Sequence, residues 1–379
     1  MRSSLYFDYA ATSPLWPEVR EAMAPFLYEC FANASSLYAG AREARKAVDE
    51  ARERVAEAVG ARPDEVVFTS GGTEADNLAL QGTAWRAGNE GRNGIVVSTV
   101  EHHAVLDTAK WLGRRGFRVA TVRVGRDGVI DTDALEAAVD ARTAIVSVMT
   151  ANNEVGAIQP VRRAAEVARA SGARFHTDAV QAFPWIPVRA AESDLVALAA
   201  HKIGGPKGVG ALVVRRGVGL EPIMHGGGQE RGLRSGTYNV AGIVGFGAAV
   251  AATQAALPGL AARVGTLRDR LQAALLARIE GLHVGAAGAE RLPNNCHVCI
   301  EGVDSEPLLL LLDAVGVAAS SGSACQSGAA EPSHVLAAMG VTQTLAKGAL
   351  RLTLGRDTTE GEVDGVVEHV AAAVQRLRR

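Results

Sequence analysis

The chain has 379 residues, of which 39 are Lys or Arg and 41 are Asp or Glu, for a net charge of -2. That length suits one large core or two domains sharing a boundary, and the charge balance excludes the strongly basic profile of a nucleic-acid binder. Four cysteines in so long a chain are not a disulfide framework, and the opening Met1-Arg2-Ser3-Ser4 lacks the apolar run of a secretion signal, so a reducing cytoplasm is the expectation.

Ala44, Ala47, Val48, Ala51, Val55, Ala58 and Val59 recur at helical spacing, and Gly60 closes the segment, which predicts an amphipathic helix. A strand at 65–69 follows, then a helix beginning near Thr73. The alternation continues with strands at 95–98, 118–124, 144–149, 174–176, 194–198 and 210–214, and with helices at 103–112, 133–139 and 161–170. Such alternation implies an α/β fold with a mostly parallel sheet covered by helices on both faces. Ligands of such sheets sit beyond the carboxyl ends of the strands. From Asn239 the pattern changes to two Ala-rich helical stretches reaching about 279, with a break at Pro258. The stretch 240–257 is the most apolar of the chain, but its many Gly and Ala residues suit a packed helix better than a membrane span. A strand at 297–300, a helix at 307–314, a short segment at 317–319, a strand at 350–354 and a closing helix at 358–377 complete a smaller α/β domain. The expected division is a large domain of 14–257, and a small domain made of 1–13 and 258–379.

Several polar clusters fall at predicted strand ends. Ser70-Gly71-Gly72-Thr73 joins a strand to a helix, where glycines free backbone N–H groups to meet an anion and the helix dipole adds attraction; a plain glycine turn capped by Thr73 is the other reading. His201-Lys202 follows an apolar strand. A lysine buried there has a lowered pKa, which suits imine formation with an aldehyde cofactor; the bland alternative is a surface loop, and Lys207 is the rival amine. Asp178 ends a strand, where its carboxylate can pair with a protonated pyridine nitrogen and Gln181 can donate to a ring oxygen; helix capping explains Asp178 equally well. Thr99-Val100-Glu101-His102-His103 and Asn152-Asn153-Glu154 mark two more strand ends, and a His there can stack on an aromatic ring and move protons. Cys325 lies among small and polar residues, as an accessible nucleophile would, although a lone thiol is often incidental. Arg351 interrupts an apolar strand and calls for a carboxylate, either a substrate's or a structural partner's. Cys296 and Cys299 form a single pair that cannot complete a zinc site; three apart on a strand, they face opposite sides as core thiols.

In this order, the clusters resemble the cysteine desulfurases of the NifS/IscS group, in the class V aminotransferase family of pyridoxal-phosphate enzymes of fold type I. The resemblance runs from Tyr6-Phe7-Asp8-Tyr9 to Gly355-Arg356. Its most specific pieces are Gly72-Thr73-Glu74-Ala75-Asp76-Asn77, Glu101-His102-His103, Asn152-Asn153-Glu154-Val155-Gly156, His201-Lys202, His225 through Arg231, Arg234-Ser235-Gly236-Thr237, and Ser320 through Cys325. It implies that Lys202 carries pyridoxal 5′-phosphate, that His102 stacks on its ring, and that Asp178 and Gln181 meet the ring nitrogen and oxygen. Gly72, Thr73 and His201 would hold the phosphate, and Thr237 would reach the phosphate of a neighbouring subunit, which implies a homodimer. Asn153 and Arg351 would bind the substrate carboxylate, and Cys325 would take sulfur from L-cysteine as a persulfide and leave alanine. The sulfur would go to an acceptor protein, an iron–sulfur scaffold or a tRNA-thiolation enzyme, without direct contact to nucleic acid or membrane. Many relatives carry Ser where this chain has Ala199, which removes one phosphate hydroxyl, and Ala34 replaces a usual Pro. A selenocysteine lyase or another class V aminotransferase is the competing expectation, with Cys325 as the feature that separates them.

Overall fold

The computed structural model describes residues 5–322 and 333–379. Its strands, in chain order, are β1 (Leu5–Tyr6), β2 (Val66–Thr69), β3 (Gly94–Ser98), β4 (Arg118–Val122), β5 (Thr143–Ser147), β6 (Arg174–Asp178), β7 (Leu195–Ala199), β8 (Gly210–Val214), β9 (Leu282–Val284), β10 (Asn295–Ile300), β11 (Val317–Ala318) and β12 (Ala349–Thr353). Strands β2 to β8 form a seven-stranded sheet in the order β2-β8-β7-β6-β5-β3-β4. Its neighbours pair in parallel except at β8, which runs antiparallel to both β2 and β7.

The period of two along each strand decides which helices cover which face. Val66, Phe68, Val196 and Leu198 pack toward the helices Ala39–Val59 and Val240–Arg278. Val67, Ile95, Val97, Leu195 and Ala197 point the other way, toward Gly72–Gly88 and His103–Gly113. Val96, Val146 and Phe175 pack with Val161–Ala170. With both faces covered, β2, β3, β5, β7 and β8 are buried along their whole length, which is why they read as apolar runs.

The helix interruption expected at Pro258 does not occur: one helix runs Val240–Arg278. A proline inside a helix costs about 3 kcal/mol. Here Val240, Ile243, Phe246 and Val250 are buried before that position and Leu260, Val264, Leu267 and Leu271 after it, so core packing on both sides outweighs the loss. Val240–Leu257 is long and apolar enough by composition to cross a membrane, and in this fold it packs against Ala39–Val59. Gly247 permits that approach, because a Cβ there would lie 2.8 Å from the Cα of Ala51.

A second, antiparallel sheet has the order β12-β10-β9, and β1 pairs with β11 in parallel. Bridges from Asp8 to Thr353 and from Ser320 to Arg351 join this pair to β12. Cys296 and Cys299 lie in different apolar clusters on opposite faces of β10, and burial pushes both thiols up to about 12. The strands β1 and β9, and the short helices Pro17–Met23, Pro25–Tyr28, His334–Ala338 and Gln343–Ala346, escape sequence reading because none is long enough to display a period.

Candidate active site

The parallel strands deliver their polar ends to one edge of the large sheet. After β2, Gly71 takes φ +155, a backbone conformation that favours glycine, and starts the helix Gly72–Gly88. A Cβ on Gly72 would lie 2.8 Å from Val180 Cγ2 and 3.7 Å from Ala199 Cβ. The N-terminus of this helix is therefore seated against the turns that follow β6 and β7. Thr73 is exposed in its first turn. Glu74 secures the turn, accepting from the Ser70 N–H at 2.8 Å and from Arg234 Nε at 2.8 Å. Arg234 thereby ties the loop that carries the exposed Thr237 to this helix. That loop is anchored again by Glu230, which accepts two bonds from Arg52 and one from the Phe68 N–H.

After β7, the turn Ala200–Lys202 presents His201 and Lys202. Lys202 Nζ donates to the carbonyls of Ala10 at 2.5 Å and Ala11 at 2.8 Å. Gln181 Nε2, in the turn after β6, donates to the same Ala10 carbonyl at 2.8 Å. His201 Nδ1 lies 3.2 Å from Thr12 Oγ1. Residues 10–12 thus close one side of the site, and Thr353 Oγ1 holds them there by accepting from the Ala10 N–H. Burial, with the charges of Lys202 and Lys207 added, holds His201 down to about 4, so the neutral ring sits in a positive field that favours an anion.

Asp178 ends β6, buried, with Oδ1 accepting from the Val180 N–H at 2.9 Å. Burial raises its pKa, and the charges of His102 and Lys202 oppose that rise. Behind it stand two more buried carboxyls. Glu101, which accepts from Ser98 Oγ and the Met149 N–H, is pushed up to about 8 by burial. Asp76 is raised well above the ordinary range by burial, then by Asp178 and Glu101; it lies 3.5 Å from His176, which burial holds down to about 3. At pH 7 Glu101 therefore keeps its proton, and Asp76 is pushed in the same direction. Of the three, Asp178 is the one that the charge of Lys202 pulls back toward the ionised form.

His102 caps the helix His103–Gly113, with Nδ1 accepting from the Ala104 N–H at 3.1 Å. Burial lowers its pKa first, with Lys202 adding and Asp178 opposing, so the ring is neutral at pH 7. With Nδ1 occupied, its proton sits on Nε2, available to the site.

After β5, Asn152 folds a tight turn by accepting from the N–H groups of Glu154 and Val155. The turn aims the Asn153 carbonyl at Arg351, which donates to it at 2.9 Å. Arg351 also pairs with Asp8 at 2.8 Å, so its guanidinium is held by a structural carboxylate while its Nε has no hydrogen-bond partner among the described residues. Cys325 lies outside the described residues. From the sequence, Asp8, Asp76, Glu101 and Glu154 stand inside the quoted motifs without a role of their own, and Arg52 is not singled out. Asp8 carried a usable signal, an acid beside an apolar strand that needs Arg351's charge; the others are visible only through burial.

These residues fit pyridoxal 5′-phosphate. A glycine-bounded helix N-terminus and the neutral His201, in the field of Lys202 and Lys207, suit the phosphate, the buried Asp178 carboxylate suits a ring N–H, and the charge of Lys202 acts on both Asp178 and His201. The family described as aminotransferase class-V matches residues 5–366. The chain is 43% identical to a protein named cysteine desulfurase IscS from Dictyoglomus turgidum, over all of this chain and 96% of that one. It is 47% identical to an IscS-like cysteine desulfurase from Mycobacterium tuberculosis, over 99% and 97% of the two chains. A solved structure described as a NifS-like protein superposes with a TM-score of 0.92 at 37% identity, covering 98% of this chain and all of the other. The chain therefore belongs to the class V aminotransferases and, within them, to the NifS/IscS group of cysteine desulfurases, which work with pyridoxal 5′-phosphate.

Proposed function

We propose that the chain converts L-cysteine to L-alanine, with Lys202 as the cofactor-binding amine and Cys325 as the sulfur acceptor. The observation that carries this is the meeting of Lys202, Asp178, His102, His201 and the Gly71–Gly72 helix start at the ends of parallel strands. The bound cofactor supplies an electron sink for the substrate's α-carbon. Asp178 holds the negative charge that keeps a ring nitrogen protonated. Gly72, Thr73 and His201 hold the phosphate, and Gln181 serves the ring oxygen. His102 would lie against the ring, and its Nε2 proton, left free by the Nδ1 bond to the Ala104 N–H, would be available there. Asn153 and Arg351 orient the substrate carboxylate, and Asp8 keeps the guanidinium in place. The Cys325 thiolate attacks the substrate sulfur, forming an S–S bond. The electron pair of the broken C–S bond stays with the substrate carbon, which a proton converts to the methyl group of alanine.

The active form is a homodimer in which Thr237 reaches the neighbouring subunit's phosphate. Supporting this, Thr237 is exposed in the single chain, and so are Leu27, Tyr28, Phe31, Leu37 and Tyr38. The persulfide sulfur passes to an acceptor protein for iron–sulfur or thio-cofactor assembly. A reducing cytoplasm suits this chemistry, and the described cysteines Cys30, Cys296 and Cys299 are free thiols. The functional division is a cofactor domain of 14–257 and a second domain of 1–13 and 258–379 that carries Cys325.

The test compares sulfide and alanine formation from cysteine by the wild type, Lys202→Ala and Cys325→Ser. Lys202→Ala should lose both products. Cys325→Ser should keep the visible absorbance of the bound cofactor and lose sulfide; full sulfide release would refute the acceptor role.

A further inference from the structure

Glu154 occupies an unusual place, between the substrate-carboxylate wall and both ends of the segment that bears Cys325. The Asn152 turn points it inward, and Asn295 Nδ2 holds its carbonyl at 3.1 Å. Its side chain is buried, 2% exposed. On one side, Gly322 packs directly on the Glu154 side chain: a Cβ at that position would collide with Glu154 Cγ, and Gly322 has φ +92. On the other side, Ser333 Oγ donates to Glu154 Oε2 at 2.7 Å while also capping the helix His334–Ala338 by accepting from the Leu336 N–H. Glu154 therefore touches the last described residue before positions 323–332 and the first one after them. Its neighbour Asn153 contacts Arg351 through its carbonyl.

We propose that Glu154 is a positioning residue that fastens both stems of the Cys325 segment to the wall that receives the substrate carboxylate. The inference rests on Cys325 being the sulfur acceptor. It explains two sequence features together, a glycine at 322 that must lie flat on Glu154 and a serine at 333 that must reach it. The other Glu154 oxygen, Oε1, is buried without a hydrogen-bond partner among the described residues. The groups facing the carboxyl are Arg351 from β12, His297 of β10 at 3.8 Å and, from the same strand, Cys299. Asp8 stands beyond Arg351 and partly cancels its charge. Burial pushes Glu154 up to about 7, against the pull of Ser333 and Arg351, while burial holds His297 down to about 3. The clasp is thus a neutral acid below pH 7 and a carboxylate above it, with His297 neutral throughout.

The test uses the holoenzyme with Glu154→Gln, Glu154→Ala, Ser333→Ala and Cys325→Ser. The readouts are kcat and KM for cysteine, the cofactor absorbance, and the iodoacetamide alkylation rate of Cys325 followed by mass spectrometry. Glu154→Ala should lower kcat about tenfold with little change in KM, and should change the alkylation rate, at unchanged cofactor content. Ser333→Ala should move both readouts in the same direction by less. Glu154→Gln retains an acceptor for Ser333 and should restore most of kcat. It should also remove an inflection near pH 7 from the wild-type alkylation profile. Wild-type kcat and alkylation in Glu154→Ala would overturn the inference, as would loss in all Glu154 variants in proportion to lost cofactor. If Cys325→Ser still released sulfide, the acceptor role itself would fall; if it did not while Glu154→Ala behaved as wild type, only the clasp would fall.

Discussion

The two sides of the site are built by different rules. On the cofactor side, each polar residue leaves the carboxyl end of a strand in one sheet: Gly71 and Thr73 after β2, His102 after β3, Asp178 and Gln181 from β6, and His201 and Lys202 after β7. On the substrate side, Arg351 projects from the middle of the antiparallel strand β12 and is held by Asp8, which follows the two-residue strand β1 near the other end of the chain. The first side is set by a local strand-to-helix pattern repeated along the chain. The second depends on pairings between distant segments. The first should therefore tolerate change poorly in chemistry but not in assembly, and the second should reveal itself in substrate affinity.

The largest effect is expected from the cofactor side. Asp178→Asn keeps the shape of the β6 end but removes the one buried carboxylate that faces His102 and Lys202. Loss of a preorganised charge of this kind lowers kcat about 10² to 10³-fold. The cofactor absorbance should persist, because Lys202 and the phosphate contacts are untouched. Retention of more than a tenth of wild-type kcat would mean that Asp76 or Glu101 takes over the charge, and would dissolve the contrast between Asp178 and the two acids behind it.

A smaller effect should follow on the substrate side. Arg351→Lys preserves a positive charge but loses the planar fork that contacts Asp8 and the Asn153 carbonyl together. Charge-assisted hydrogen bonds are worth about 1.5 to 3 kcal/mol, which corresponds to a KM for cysteine raised about 10 to 100-fold. Kinetics with cysteine should show the change in KM rather than kcat, with the cofactor spectrum unaltered. An equal fall in kcat at constant KM would place Arg351 in the chemistry rather than in substrate capture.

What could be read in the sequence follows the same divide. The helix Val161–Ala170 and the strand Gly210–Val214 emerge at their observed bounds, the first because its apolar spacing shows a helical period and the second because it is an unbroken apolar run. Lys202 and Asp178 stand out because a charge directly after an apolar strand is conspicuous. Residue types alone do not disclose that β8 reverses direction, since an antiparallel strand buried on both faces is as apolar as a parallel one. Nor do they disclose the pairing of Asp76 with His176 or of Glu154 with Ser333, partners 100 and 179 positions apart. The expected break at Pro258 errs for the opposite reason: a strong local signal is overridden by burial on both sides of the helix.

The smallest predicted effect probes the cofactor side at its weakest point. Ala199, 4% exposed at the end of β7, lies where many relatives offer a hydroxyl, and its Cβ stands 3.7 Å from the position a Cβ on Gly72 would take. Ala199→Ser would place that hydroxyl beside the helix start proposed to hold the phosphate. A single added hydrogen bond contributes about 0.5 to 1.5 kcal/mol, so pyridoxal phosphate should bind about 2 to 10-fold more tightly in an equilibrium titration of apoenzyme. The sign should depend on the ligand. In the apoenzyme the new hydroxyl is buried without a phosphate to meet, so thermal stability should stay level or fall slightly, whereas in the holoenzyme it should rise. Tighter binding without that opposite shift would mean that the hydroxyl acts through the packing of Ala199 against the helix rather than on the phosphate. Unchanged affinity would mean that His201 and the Gly72–Thr73 amides already satisfy every phosphate oxygen facing β7.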